Sequence, residues 1–136
     1  MIKINHTLQV LNISGNPIGD EGIATIAQTL DNAMISKLDV QWCKVTVTGA
    51  KALAASLINN HTIKVLSVDY NIISVEGNNI NDITVDGAIA ILEAAVANRK
   101  CQEVMIDDEY KSNDKVKEMM SILEERKRQE VGSIIT

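Results

Sequence analysis

Several side chains in this 136-residue sequence have the right type for chemistry, and each lacks the company that chemistry needs. Asp20, Glu21 and Asp86 could serve as general acids or bases, but no partner base or nucleophile occupies a matching slot. All three fall at expected helix starts, where a carboxylate satisfies free amides and the helix dipole. Asn78-Asn79-Ile80-Asn81-Asp82 is rich in oxygen ligands, yet its spacing departs from a calcium-binding loop. His6 and His61 do not make a metal set. They recur at one point of successive segments, each after Asn and before Thr, which indicates a turn role. Gly15-Asn16-Pro17-Ile18-Gly19 lacks the lysine of a phosphate-binding loop. Cys43 and Cys101 sit at positions that call for small buried side chains. No catalytic residue, metal ligand or cofactor site is expected, and the chain reads as a non-enzyme.

The elements that would carry these residues repeat. Leu8-Gln9-Val10-Leu11-Asn12-Ile13 is echoed by Ile35-Ser36-Lys37-Leu38-Asp39-Val40, by Ile63-Lys64-Val65-Leu66-Ser67-Val68 and by Cys101-Gln102-Glu103-Val104-Met105-Ile106. The starts lie 27, 28 and 38 residues apart. Six, ten and fourteen residues beyond Asn16 come Gly22, Ile26 and Leu30. The same offsets from Cys43 give Gly49, Leu53 and Leu57, and from Asn81 they give Gly87, Ile91 and Ala95. Apolar residues every four positions describe a helix with one buried face. Each unit is thus a short strand, a tight turn and a helix. None can bury its apolar face alone, so stacking must create the core.

This pattern resembles the ribonuclease-inhibitor-like branch of the leucine-rich-repeat family over roughly residues 2 to 109, with Ile18-Gly19-Asp20-Glu21-Gly22-Ile23-Ala24 matching its turn into the helix. Cytosolic NOD-like receptors, ribonuclease inhibitor and the activating protein of the Ran GTPase belong to that branch. The resemblance implies an α/β solenoid, a right-handed arc with a parallel sheet on its concave face and helices on its convex face. It also implies a protein-recognition module in the cytoplasm, most like the ligand-sensing end of a NOD-like receptor. The alternative is a regulator of an enzyme, either GTPase-activating or of the inhibitor type. The arginines Arg99, Arg126 and Arg128 do not fall in a turn after a strand, so the Ran-activating site has no counterpart here.

Composition agrees with recognition of protein. Net charge is −5, which disfavours a phosphate track and so nucleic acid. Neither a signal peptide nor a membrane-spanning run is evident, and no membrane partner is expected. Apolar residues make up 46% of the chain, yet the aromatics are only Trp42, Tyr70 and Tyr110. In the leucine-rich pattern the first, fourth, sixth and ninth residues of a unit point inward. The third, fifth, seventh and eighth line the open face of the sheet. That places Trp42 and Tyr70 side by side in the eighth-position column, between Gly15 and Asp108. Asp39 stands in the fifth column, and Gln41, Asp69 and Asp107 in the seventh. An acidic floor beside two aromatics would suit a basic or amphipathic protein surface.

Residues 1–111 are therefore expected to form about three and a half units with an uncapped N-terminal side. Residues 112–132 should form a helix that closes the C-terminal side, its Val116, Met119, Met120 and Leu123 in one apolar stripe, and 133–136 should fray. Ile2 aligns with Leu57, and Asn5-His6-Thr7 with Asn60-His61-Thr62. Either further units precede Met1 or that edge is covered by a partner or a second copy. The ten extra residues in the third step arise from a tandem copy of the turn: Asn71 to Gly77 is followed by Asn81 to Gly87. Such a loop could carry specificity or be a tolerated insertion without a role.

Overall fold

A computed structural model describes residues 7–69 and 83–135. Tyr70, the first copy of the turn at 71–82 and the N-terminal residues 1–6 lie outside the described residues. Among the described residues four strands alternate with four α-helices: β1 (Val10–Asn12), α1 (Gly19–Thr29), β2 (Lys37–Asp39), α2 (Val47–Leu57), β3 (Val65–Ser67), α3 (Thr84–Ala97), β4 (Glu103–Met105) and α4 (Asp114–Ile135). The strands form one parallel sheet in the order β1-β2-β3-β4. Val10, Lys37, Val65 and Glu103 stand in one row, Leu11, Leu38, Leu66 and Val104 in the next, and Asn12, Asp39, Ser67 and Met105 in the third. This is the expected α/β leucine-rich-repeat fold, with the register read from the repeat period.

Three residues make a short strand, and the hydrogen bonds that hold each one come from the next unit. Ile13 N donates to Asp39 O at 3.0 Å, Val40 N to Ser67 O at 2.9 Å and Val68 N to Met105 O at 2.9 Å. The pairing runs on into the turns, where Gly15 N donates to Gln41 O and Gly19 N to Cys43 O, both at 2.9 Å. Inward residues of the second unit, Ile35, Leu38, Val40 and Cys43, are completely buried. Those of the first unit are more open, with Leu8 37% exposed and Leu11 and Ile13 half-buried. Behind the sheet the helices bury Ile23 and Ala27 of α1, Leu53 and Leu57 of α2, and Ile91 and Ala95 of α3. In α2 and α3 these are the positions of the sequence pattern, whereas in α1 the buried pair falls one residue later than the expected Gly22 and Ile26, and Ile26 is half-buried.

Two cross-unit devices were not apparent as such in the sequence. Asp20, expected to cap its own helix, accepts instead from Thr46 N at 2.7 Å and from the Thr46 hydroxyl. Thr46 is the N-cap of α2 and accepts from Thr48 N. The carboxylate therefore ties the start of one helix to the start of the next, and α1 has no side-chain cap. A Cβ on Gly49 would collide with the Asp20 carboxylate and come within 2.9 Å of Val45, which explains the repeated glycine at that point.

The second device is an asparagine three residues before each strand-starting apolar residue. The Asn60 oxygen accepts from Thr62 N and Ile63 N at 2.8 and 2.7 Å, while its amide reaches Leu30 O at 3.5 Å. Asn98 repeats the arrangement, accepting from Lys100 N and Cys101 N at 2.8 and 2.9 Å. Its amide donates to Leu57 O and, at 2.6 Å, to Asn60 O. Both side chains are buried. Ala95 holds the place one unit later that Leu57 holds, and its carbonyl accepts from a cation on α4: Arg126 donates to Ala95 O at 3.0 Å, Cys101 O at 2.7 Å and Val96 O at 2.7 Å. A guanidinium suits the carbonyls at a helix C-terminus, where the dipole is negative. Val116, Met119 and Leu123 of α4 are buried against the same layer, and Met120 is half-buried beside them. The helix runs to Ile135, beyond the end expected at 132.

Both cysteines are free and buried, as expected. Cys43 takes the slot of Asn16, and the two side chains donate to the same carbonyl, Ile13 O, at 3.3 and 2.9 Å. Burial pushes the Cys43 thiol above its ordinary value, and it pushes Cys101 from 9 up to about 11.

Two outcomes follow. Asn98→Ala leaves four backbone groups, three of them buried, without their side-chain partner and should lower unfolding free energy by about 2–3 kcal/mol in urea titration, on the cost of orphaned polar groups; a loss below about 0.5 kcal/mol would contradict the bridging role. Cys101 should resist iodoacetamide at pH 8 until the protein unfolds, because the fold keeps it protonated. With a raised pKa in the folded state, the stability linked to the neutral thiol is intact below pH 9 and is lost as pH rises toward 11. Rapid labelling of native Cys101 at pH 8, or pH-independent stability between 9 and 11, would contradict this.

Candidate protein-recognition face

The concave face is built by the residues at and just beyond the strand ends. In the fifth column Asn12 and Asp39 act alike: each accepts from the backbone N–H two residues on, Ser14 N at 2.9 Å and Gln41 N at 3.1 Å. These are Asx turns, and they set the direction in which the chain leaves the strand. Asp39 thus keeps one oxygen on its own backbone and is half-buried. In the seventh column Gln41 Nε2 donates to Asp69 Oδ1 at 2.6 Å, joining the second and third units across the face.

Trp42 sits in the next column in an unusual backbone conformation. Its φ is +62°, while Gly15, at the same slot one unit earlier, has φ +81°. The turn therefore calls for a left-handed residue, which glycine adopts freely and a bulky side chain adopts at a cost of about 1–2 kcal/mol. Trp42 is half-buried, and its buried indole N–H has no hydrogen-bond partner among the described residues. Tyr70, the expected neighbour in that column, lies outside the described residues, so the aromatic pair is not placed.

The acidic floor is less open than the column pattern suggests. Asp107 is buried, with 6% of its surface exposed, instead of standing free on the face. The chain turns directly after it into a short 3-10 segment (Asp108–Ser112) that leads to α4. Ser67, expected on the open face, is 2% exposed and donates to Met105 Sδ at 3.2 Å. Asp108 does project into solvent, but Lys111 pairs with it at 2.8 Å and holds its carboxyl below the ordinary range. Glu103 pairs with Lys127 of α4 at 3.3 Å.

What the repeat pattern missed is a wall. Met120 and Glu124 of α4 reach the end of the face and, with Asp69, Met105, Asp107 and Asp108, enclose a groove of about 400 Å³. Two adjacent methionines in the α4 stripe were the available signal: Met119 faces inward, and its neighbour Met120 is left for the groove rim. The arrangement offers shape, hydrogen-bonding groups and negative charge, which are means of recognition. Among the described residues no group of three or more His, Cys, Asp or Glu side chains could hold a metal ion. No described helix is long and apolar enough to cross a membrane.

Comparison with known proteins places this geometry. The family model described as Leucine Rich repeat matches residues 5–27 and 31–54. The chain is 34% identical over 52% of its length to mouse NACHT, LRR and PYD domains-containing protein 4E, and 32% identical over 52% to pig ribonuclease inhibitor. It spans 8% and 16% of those two proteins. Among solved structures, Leiomodin-1 Actin-Binding Site 2 superposes with a TM-score of 0.71 at 16% identity, covering 97% of this chain and 73% of the other, a likeness in fold alone. The 27- and 28-residue units, the parallel register and these relatives together show a leucine-rich-repeat fold, similar to that of the ribonuclease-inhibitor-like branch.

Proposed function

We propose that this chain is a non-enzymatic recognition module that grips a partner protein with the concave face of its arc, in the cytoplasm, as the ligand-sensing end of a NOD-like receptor would. The observation that carries the proposal is Trp42. The preceding unit makes the same turn with glycine, yet this one keeps an indole in the left-handed region and leaves its N–H unsatisfied among the described residues. Strain of that kind persists where a side chain is retained for something other than folding. An interface supplies both a partner for the N–H and cover for the ring.

Around Trp42 the proposed contact set is Asp39, Gln41, Asp69 and Asp108, with Tyr70 joining from the same column and Asp107 contributing through the groove wall. Carboxylates on the floor and Met105 and Met120 at the groove favour a partner surface that presents Lys or Arg on aliphatic stems. In the same reading residues 1–111 are the repeat arc and α4 closes its C-terminal side, with Arg126 taking the carbonyl that a following unit would use.

The test is a selection of basic helical peptides from a displayed library against the protein, followed by calorimetry. Trp42→Gly should weaken the selected binders more than tenfold, and Asp69→Lys should do the same. Stability separates this from a packing role: Trp42→Gly should cost less than about 2 kcal/mol, because strain relief offsets lost burial. A loss of about 3–5 kcal/mol, the range for a core aromatic, would make Trp42 a packing residue and remove the support for the proposal. Selected binders that hold equally well to both variants would overturn it as well.

A further inference from the structure

A second surface of opposite charge lies on the other side of the strands, where the helices turn back into the sheet. Ile58, at the end of α2, is 51% exposed. With Asn60, His61, Ala97, Asn98, Arg99 and Lys100 it lines a groove of about 270 Å³ between the ends of the second and third units. His61, Arg99 and Lys100 are all exposed. His61 and Arg99 hold the same place in successive units, two residues before the inward Ile63 and Cys101.

Most of the cations near the C-terminus are engaged. Lys111, Lys115, Lys127 and Arg128 each pair with a carboxylate, and Arg126 is spent on three carbonyls. Neither Arg99 nor Lys100 has an acidic partner or donates its side chain to a carbonyl among the described residues. A cation placed to complement a helix C-terminus would bond the last carbonyls, as Arg126 does; these two do not. Arg99 also has φ +39°, at a helix C-terminus where glycine or asparagine is the favoured residue.

We infer that this groove docks an acidic peptide segment of a partner protein, with an aliphatic side chain on Ile58 and Ala97 and neighbouring carboxylates on Arg99, Lys100 and His61. Charge complementarity selects the occupant. A groove this small with an apolar floor offers no track for successive phosphates. The surface is independent of the concave face, so one partner could span both or two could bind at once.

The experiment is amide NMR with the full chain and a heptapeptide of aspartates and glutamates around a central leucine. Shifts should appear at residues 58–61 and 97–100, saturate with peptide, and survive Trp42→Gly. Affinity should fall at least tenfold in the Arg99→Glu, Lys100→Glu double variant and at least threefold in Ile58→Ser, all with unchanged thermal melting because these side chains are exposed. A lysine-for-acid version of the peptide and a ten-nucleotide oligouridine should leave the same amides unmoved. Absence of shifts with the acidic peptide, undiminished binding to the double variant, or stronger perturbation by the oligonucleotide would each overturn the inference.

Discussion

A three-residue strand makes too few hydrogen bonds to hold itself extended, so this molecule rests on bonds that pass from each unit to its neighbour. The backbone ladder is continuous from Ile13 through Val40 to Val68, each amide donating into the following strand. Side chains repeat that direction on both sides of the sheet. Asp20 reaches forward to the start of α2, while Asn60 and Asn98 reach back to the ends of earlier helices. Each link is worth about 1 kcal/mol or less net and matters chiefly because its absence would leave buried polar groups unsatisfied. The apolar layer is equally shared, since no unit encloses its own leucines.

That dependence explains what was legible in the sequence. A period of 27 or 28 residues is a statement about neighbours, and it puts Leu11, Leu38, Leu66 and Val104 in one row, where the structure has them. Burial of Cys43 and Cys101 followed from the same slots. Position within the repeat assigns a direction to a side chain when units stand on both sides of it. It fails at the last unit: Asp107 has the column position of Gln41, but the chain there folds over into α4 and covers it. It also fails where the link is between units and not within one. Asp20 has the composition of a helix cap, and only its distance to Thr46 reveals that it serves the next helix.

The open face of the sheet was legible in outline for the same reason. Columns placed Gln41 beside Asp69, and they bond. The groove wall from Met120 and Glu124 belongs to a helix outside the repeat, so no column could predict it. The left-handed backbone at Trp42 was in principle readable, because Gly15 occupies its slot one unit earlier; a glycine in a repeat column marks a conformation that its neighbours must also adopt. The two sides of one turn therefore differ: the inward residues couple the units, and the outward ones are left to carry strain and charge.

Native-state hydrogen exchange examines that coupling most directly. The amides of Lys64, Val68 and Gln102 donate across unit boundaries, as does that of Val40, and none is satisfied within its own unit. If the units stand or fall together, these amides exchange with one common free energy equal to that of global unfolding. Were Val40 to exchange several kcal/mol more readily than Gln102 while the rest of the sheet stayed protected, the units would be stable separately, and the account of a shared interior would be wrong.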